Sequence, residues 1–312
     1  MLDERDAVVV VPSGWRARWK WEKRRSCLVR AARIIGYLFA VGLVAWVVPQ
    51  AAKGVRFDEE DFLPFIGSLV PAVASWLFLG RAWAALVGAP KATPAISTWT
   101  RSQALRYLPG ALWAPAARAA SVKGAFLTKA SIVVVEAALT LAVGAGVGGV
   151  FMATGGNPYW AFLVLVPIAM CASAALLIGR VDVPTRRLIE AAAWNFASWI
   201  TYGASAWMTQ LAIGPTRHPL AIVGAACLAR AAGMAAIFDP GGVGVREVAY
   251  VALLTSFLPQ DKAAAGAIGS RLILTVAELG VLLVVGVLWK RRNDAPSPAE
   301  SGNRAAPVAL AD

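Results

Sequence analysis

Long apolar runs alternate with short polar joints along this chain. Runs of about 20 residues with at most two charges, several with one or none, cover 29–48, 62–79, 131–153, 160–178, 191–213, 220–238 and 267–289, and at 1.5 Å rise per residue each reaches across a hydrocarbon layer of about 30 Å. Two stretches break the pattern. Around 97–115 the apolar patch Tyr107-Leu108-Pro109-Gly110-Ala111-Leu112-Trp113 is interrupted by Pro109-Gly110 and flanked by Arg101, Arg106 and Arg118, so it cannot cross lipid as one continuous helix. Around 240–258 a Pro-Gly-rich opening precedes an apolar helix of about 24 Å, short of a full crossing. The pattern predicts an all-α, polytopic helical membrane protein of about eight transmembrane helices, with re-entrant or broken segments near 97–115 and 240–258.

Composition agrees. Of 312 residues, 58% are hydrophobic and 15% charged, too little polar surface for a soluble protein of this size. Thirty Lys and Arg against eighteen Asp and Glu leave a net charge of +12. The basic residues collect at the ends of apolar runs, which fits the positive-inside rule and not a nucleic-acid surface. Residues 1–28 form a basic arm carrying Trp15, Trp19 and Trp21, expected to lie along the membrane interface. The first apolar run is followed by Asp58-Glu59-Glu60-Asp61 and the last by Lys290-Arg291-Arg292. Both termini are therefore expected in the cytoplasm, on the inner (plasma) membrane. Residues 29–290 form a single transmembrane domain, and 291–312, rich in Ala, Pro and Ser, a disordered cytoplasmic tail.

The chemistry this excludes is broad. His218 is the only histidine, and Cys27, Cys171 and Cys227 are scattered, so no metal-ligand spacing exists and no metal is expected. There is no phosphate loop, dinucleotide fingerprint or nucleophile elbow, so no cofactor is expected and the chain is not expected to be an enzyme.

What remains is charge inside the apolar runs: Glu136, Arg230, Arg246, Glu247, Arg271 and Glu278. Each costs about 2.5–3.5 kcal/mol to insert and so marks a cavity or pathway unless neighbours neutralise it. Internal salt bridges between helices are the plainer alternative. Arg271 and Glu278, seven apart, share one helix face. Pro240-Gly241-Gly242-Val243-Gly244 offers free N–H groups at a helix start, an anion site with Arg246 on its first turn. Pro109-Gly110, between Arg106 and Arg118, offers a weaker version. Broken segments in both halves are the pattern of transporters whose substrate site lies where the breaks meet. Gly144 and Gly148, four apart, would let another helix approach closely.

These residues carry a resemblance. Arg106 to Trp113, followed by Arg118, Gly124 and Glu136, resembles the Tyr-hydrophobic-Pro-Gly-x-x-Trp block of the lysylphosphatidylglycerol synthase transmembrane-region family. Pro240-Gly241-Gly242-Val243-Gly244-Val245-Arg246-Glu247 resembles that family's Pro-Gly-Gly-x-Gly-x-x-Glu block, with Phe238-Asp239 where the family often has a further proline. The similarity is expected to cover 30–290. It implies a membrane-embedded lipid-handling module, similar to the flippase part of relatives that also carry an aminoacyl transferase domain. The sequence stops about 20 residues after the last apolar run, so lysyl transfer is not expected.

The expected function is a flippase-like integral membrane transporter for a polar or phosphate-bearing lipid. Its substrate-binding set is Arg106, Tyr107, Arg118, Glu136, Arg230, Gly241, Gly242, Arg246, Glu247, Arg271 and Glu278. Arginine suits the task because its planar fork grips phosphate bidentately. Expected partners are anionic or polar-headed membrane lipids and lipid-pathway enzymes, not nucleic acid; the sequence carries no signal for oligomeric state. Two rivals stand beside this reading: a non-catalytic partner of a glycolipid, hopanoid or polyprenyl-lipid synthesis complex, and a lipid-modifying enzyme using Glu136 or Glu247 as general base.

Overall fold

The computed structural model describes residues 49, 62–107, 113–122, 125–155, 158–165, 183–236 and 244–293, with backbone alone at 107, 126, 164 and 289–293. Those residues are helical and contain no strand. In chain order they form α1 (Phe62–Gly67), α2 (Leu69–Leu86), α3 (Ala92–Gln103), a 3₁₀ turn (Ala104–Tyr107), α4 (Trp113–Ser121), α5 (Phe126–Ala153), a 3₁₀ segment (Pro158–Val164), α6 (Thr185–Leu211), α7 (Pro219–Ala235), α8 (Val245–Leu254) and α9 (Gln260–Asn293). The stretches Phe62–Leu86, Leu127–Ala153 and Gln260–Leu288 are long and apolar enough to cross a bilayer. This is an all-α membrane fold.

Local chemistry explains the boundaries. α1 and α2 are one rod interrupted at Ser68. Pro71 has no N–H to give the carbonyl of Gly67, and the Ser68 hydroxyl donates back to the Phe65 carbonyl at 2.5 Å. The helix predicted at 191–213 starts earlier, at Thr185 behind Pro184, because nothing between Arg186 and Ala191 breaks the helix once it emerges from the apolar layer. The 97–115 region is broken as expected: α3 gives way to the 3₁₀ turn, and α4 begins at Trp113. The short segment near 240–258 narrows to α8, ten residues and about 15 Å long. The arm 1–28, the run 29–48, the tail and both Pro-Gly pairs lie outside the described residues. So does most of 160–178, whose opening is the 3₁₀ segment.

α2 and α6 pack along their length. Ser205 donates to the Ser68 carbonyl at 2.8 Å and Ser198 to the Ser75 carbonyl at 2.9 Å. Stepping seven residues back on α6 moves seven forward on α2, so the helices run antiparallel in heptad register. Gly144 and Gly148 on α5 do what their spacing foretold. A methyl group at Gly144 would overlap the Trp199 ring, and one at Gly148 would lie 2.7 Å from Leu228. α6 and α7 thereby close on α5 at van der Waals distance. The core fills with Trp76, Trp83, Trp199, Tyr202, Tyr250, Ile222 and Leu254, each at most 2% exposed. Leu272, Val276, Leu279 and Leu283 on α9 stay exposed, as a surface facing lipid requires.

The two ends of the bundle differ in charge. At one end the His218 and Phe257 rings lie 5.2 Å apart, tilted by 53°, and Gln210 donates to the Lys262 carbonyl at 3.3 Å. At the opposite end the Arg187 guanidinium lies against Gly88, in the α2–α3 turn, and Arg81 lies 5.1 Å over Trp194.

Candidate functional site

The buried charges meet in the middle of the bundle. Counting from the Phe257–His218 end, Tyr202 on α6, Arg230 on α7, Arg246 on α8 and Arg271 on α9 all lie about 12–16 Å along their helices. That is near mid-depth of a layer about 30 Å thick. α8 starts at this level because Gly244 adopts φ +96°, a left-handed conformation that side chains resist. Its N–H donates to Glu247 Oε2 at 2.6 Å, so Glu247 caps its own helix and neutralises part of the positive dipole end.

Three arginines are matched by carboxylates. Arg118 on α4 reaches Glu136 Oε1 on α5 at 2.8 Å, and the Trp99 indole donates to the same oxygen at 3.1 Å. This trio is buried and ties the broken segment to α5. Glu136 also anchors its own helix, since its carbonyl accepts the Thr140 hydroxyl at 2.8 Å. Arg106, on the 3₁₀ turn, pairs with Glu278 of α9 and lies 5.0 Å over the Trp76 ring. Arg271 pairs with Glu247 at 3.4 Å, with its side chain 20% exposed. The alternative of internal salt bridges therefore describes these three contacts, two of which hold the broken region against α5 and α9.

Arg230 and Arg246 are different. They are 8% and 7% exposed, and among the described residues neither has a carboxylate within ion-pair distance. Arg230 lies 5.1 Å over Trp199 and 4.5 Å over Tyr202, and donates a 3.4 Å hydrogen bond to the Ser75 hydroxyl. Arg246 donates to the same Tyr202 hydroxyl at 2.7 Å and lies 5.3 Å from that ring's centre. Tyr202 thus sits between two guanidinium groups, held by cation–π attraction and one hydrogen bond. Beside them the Trp76 indole N–H is buried with no acceptor among the described residues. The centre is rich in donors and poor in acceptors.

Of the expected binding residues, Arg106, Arg118, Glu136, Arg230, Arg246, Glu247, Arg271 and Glu278 all reach this interior or its edge. Tyr107 closes the 3₁₀ turn by its backbone. Gly241 and Gly242 lie outside the described residues, as does the helix-start anion site they were expected to form. Sequence reasoning missed the aromatic partners Trp76, Trp99, Trp199 and Tyr202, and the hydroxyl of Ser75. Trp199 and Tyr202, three apart on one helix face, were the available signal. A separate cleft of about 520 Å³ runs between α2, α3 and α9. Its walls are mostly apolar, with Val73, Leu77, Ile96, Val281, Val284 and Leu288 among them, and none of the charged groups lines it.

The second motif block lies in the part of the chain, about a third of it, that matches a known family. Residues 180–281 match the family model for the Lysylphosphatidylglycerol synthase TM region. The match contains Tyr202, Arg230, Arg246, Glu247, Arg271 and Glu278, whereas the Arg106–Trp113 block lies outside it. It links this membrane domain with lipid metabolism. No curated protein matches the chain.

Proposed function

We propose that the chain is a flippase-like lipid transporter that moves a polar or phosphate-bearing lipid between leaflets. One observation carries the reading: two guanidinium groups, Arg230 and Arg246, are buried at mid-depth around Tyr202 with only neutral partners among the described residues. A protein that merely needed helix-to-helix ties would match them with carboxylates, as it does three times nearby. A headgroup passing between leaflets supplies the missing negative charge only while bound. The remaining binding groups are Arg106, Arg118 and Arg271 with their glutamates, whose pairs can exchange partners as a headgroup passes, and the Gly241–Gly242 region.

The reading assigns no covalent chemistry to the chain, and Glu136 and Glu247 serve as structural acceptors. Lipid-pathway enzymes would supply or consume the transported lipid. The chain sits in the inner membrane with both termini in the cytoplasm, a reading supported by basic residues at one end of the bundle. Arg81, Lys91, Arg186, Arg187 and the end of α9 at Lys290-Arg291-Arg292 belong to the end bearing Gly88, which the positive-inside rule makes cytoplasmic.

The test is leaflet exchange of a labelled anionic lipid in proteoliposomes. Arg230→Gln with Arg246→Gln should slow exchange at least ten-fold while leaving the protein folded. An unchanged rate overturns the reading. The scaffold alternative predicts that outcome, because removing interior charge would leave docking surfaces intact.

A further inference from the structure

The charge balance of the interior narrows the substrate class, in a step that rests on the lipid-handling reading of the same site. Among the described residues, five arginines and three glutamates meet there. Glu136 is committed to Arg118 and Trp99, Glu278 to Arg106, and Glu247 to Arg271 and the Gly244 N–H. Among the described residues, subtracting these pairs leaves Arg230 and Arg246, an excess of two positive charges held by a serine hydroxyl, a phenol and two ring faces. Charges of one sign in a low-dielectric interior are costly until an opposite charge joins them. The neighbouring polar atoms fit the same demand: among the described residues the Trp76 indole N–H has no acceptor, and Ser75 and Tyr202 accept from the two guanidinium groups.

We infer that the site takes a lipid whose headgroup ends in a phosphomonoester and carries no cationic group. A terminal phosphate bears about −1.5 to −2 charges at neutral pH and three strong acceptor oxygens, which matches both the excess charge and the unused donors. Arginine forks bind such a group bidentately. A phosphodiester headgroup brings one charge and leaves one guanidinium unmatched. A zwitterionic or aminoacylated headgroup brings an ammonium into a centre already positive, whose glutamates are each engaged by an arginine. Glu136 Oε2, buried with no donor among the described residues, belongs to the Arg118 pair rather than to the Tyr202 centre.

The experiment uses the full chain in detergent and in phosphatidylcholine vesicles doped with phosphatidic acid, phosphatidylglycerol or aminoacylated phosphatidylglycerol, with inorganic phosphate as a competitor. Phosphatidic acid should bind at least ten-fold more tightly than phosphatidylglycerol, and the aminoacylated lipid more weakly still. Arg230→Met with Arg246→Met should erase that preference without lowering thermal stability, while Arg217→Met, on an exposed loop, should leave it intact. Equal binding of the first two lipids, or tighter binding of the aminoacylated one, overturns the inference. Inorganic phosphate binding as tightly as phosphatidic acid assigns the site to a soluble phosphate and overturns the lipid assignment. If the double variant fails to fold, the ranking of lipids on the unaltered protein still decides. Exchange measured in the same vesicles separates this inference from the transport reading. Preference in binding without exchange sinks transport alone, and exchange indifferent to headgroup charge sinks the phosphomonoester alone.

Discussion

Two groups of interior arginine, buried except for the half-buried Arg106, stand close together in this molecule and are treated in opposite ways. Arg118 and Arg106 come from the broken region between α3 and α4, and each meets a glutamate on a long helix. Arg230 and Arg246 come from α7 and α8 and meet aromatic faces and hydroxyls. The first pattern is mechanical. A segment that cannot form one continuous helix needs fixed points, and a buried ion pair with a second donor supplies one. The second pattern serves no packing purpose that apolar side chains of similar length would not serve better. Charge that the fold leaves unbalanced is therefore the better marker of a ligand than buried charge as such.

The sharpest way to break this contrast is to remove one member of a matched pair. Glu136→Leu leaves Arg118 buried and unanswered and should cost about 3–5 kcal/mol, seen as a large fall in thermal unfolding temperature. Adding Arg118→Met to it should recover most of the loss. If the single change is mild, the Arg118–Glu136 pair is not a fixed point and the distinction collapses. Next in size is the support beneath the unmatched pair. Gly144→Ala pushes a methyl group into Trp199, the ring under Arg230 that also donates to the Thr140 carbonyl at 3.0 Å. Overpacking of this kind costs about 1–3 kcal/mol, and lipid exchange should fall with stability because the Arg230 platform shifts.

A gain of opposite sign is expected at Gly280, where an added methyl group meets nothing within 4 Å. Gly280→Ala should stabilise α9 by about 0.5–1 kcal/mol, measurable as a small rise in unfolding temperature without change in exchange. The smallest effect belongs to Arg271→Ala. Its contact with Glu247 is long at 3.4 Å and partly open to solvent, and Glu247 keeps the Gly244 cap. A loss of roughly 0–1 kcal/mol is expected for such a pair. A much larger loss would move Arg271 into the company of Arg118.

Much of the fold was legible because a bilayer imposes severe rules. Runs of apolar residues long enough to cross it have few alternatives to helix, and the helices found at 62–86, 126–153, 219–235 and 260–293 follow from that. The break around 104–113 was legible from Pro109-Gly110 and its flanking arginines. The small-residue spacing at Gly144 and Gly148 announced a close approach, though not that Trp199 and Leu228 would fill it. The early start of α6 at Thr185 was not legible from hydrophobicity, because helix propensity continues past the edge of the apolar layer.

For the site, the amino-acid order alone determined which charges would be buried, since an arginine or glutamate inside an apolar run has nowhere else to go. It also determined that α8 is too short to cross the membrane alone. Only the packing of distant helices decided which charge answers which. Arg106 meets Glu278 across 172 positions and Arg118 meets Glu136 across 18, while Arg230 and Arg246 share Tyr202. The physical reason is that Coulomb and cation–π energies depend on a few ångströms of separation in a low-dielectric interior, and separations between helices are set by side-chain interlocking that no single stretch of sequence encodes.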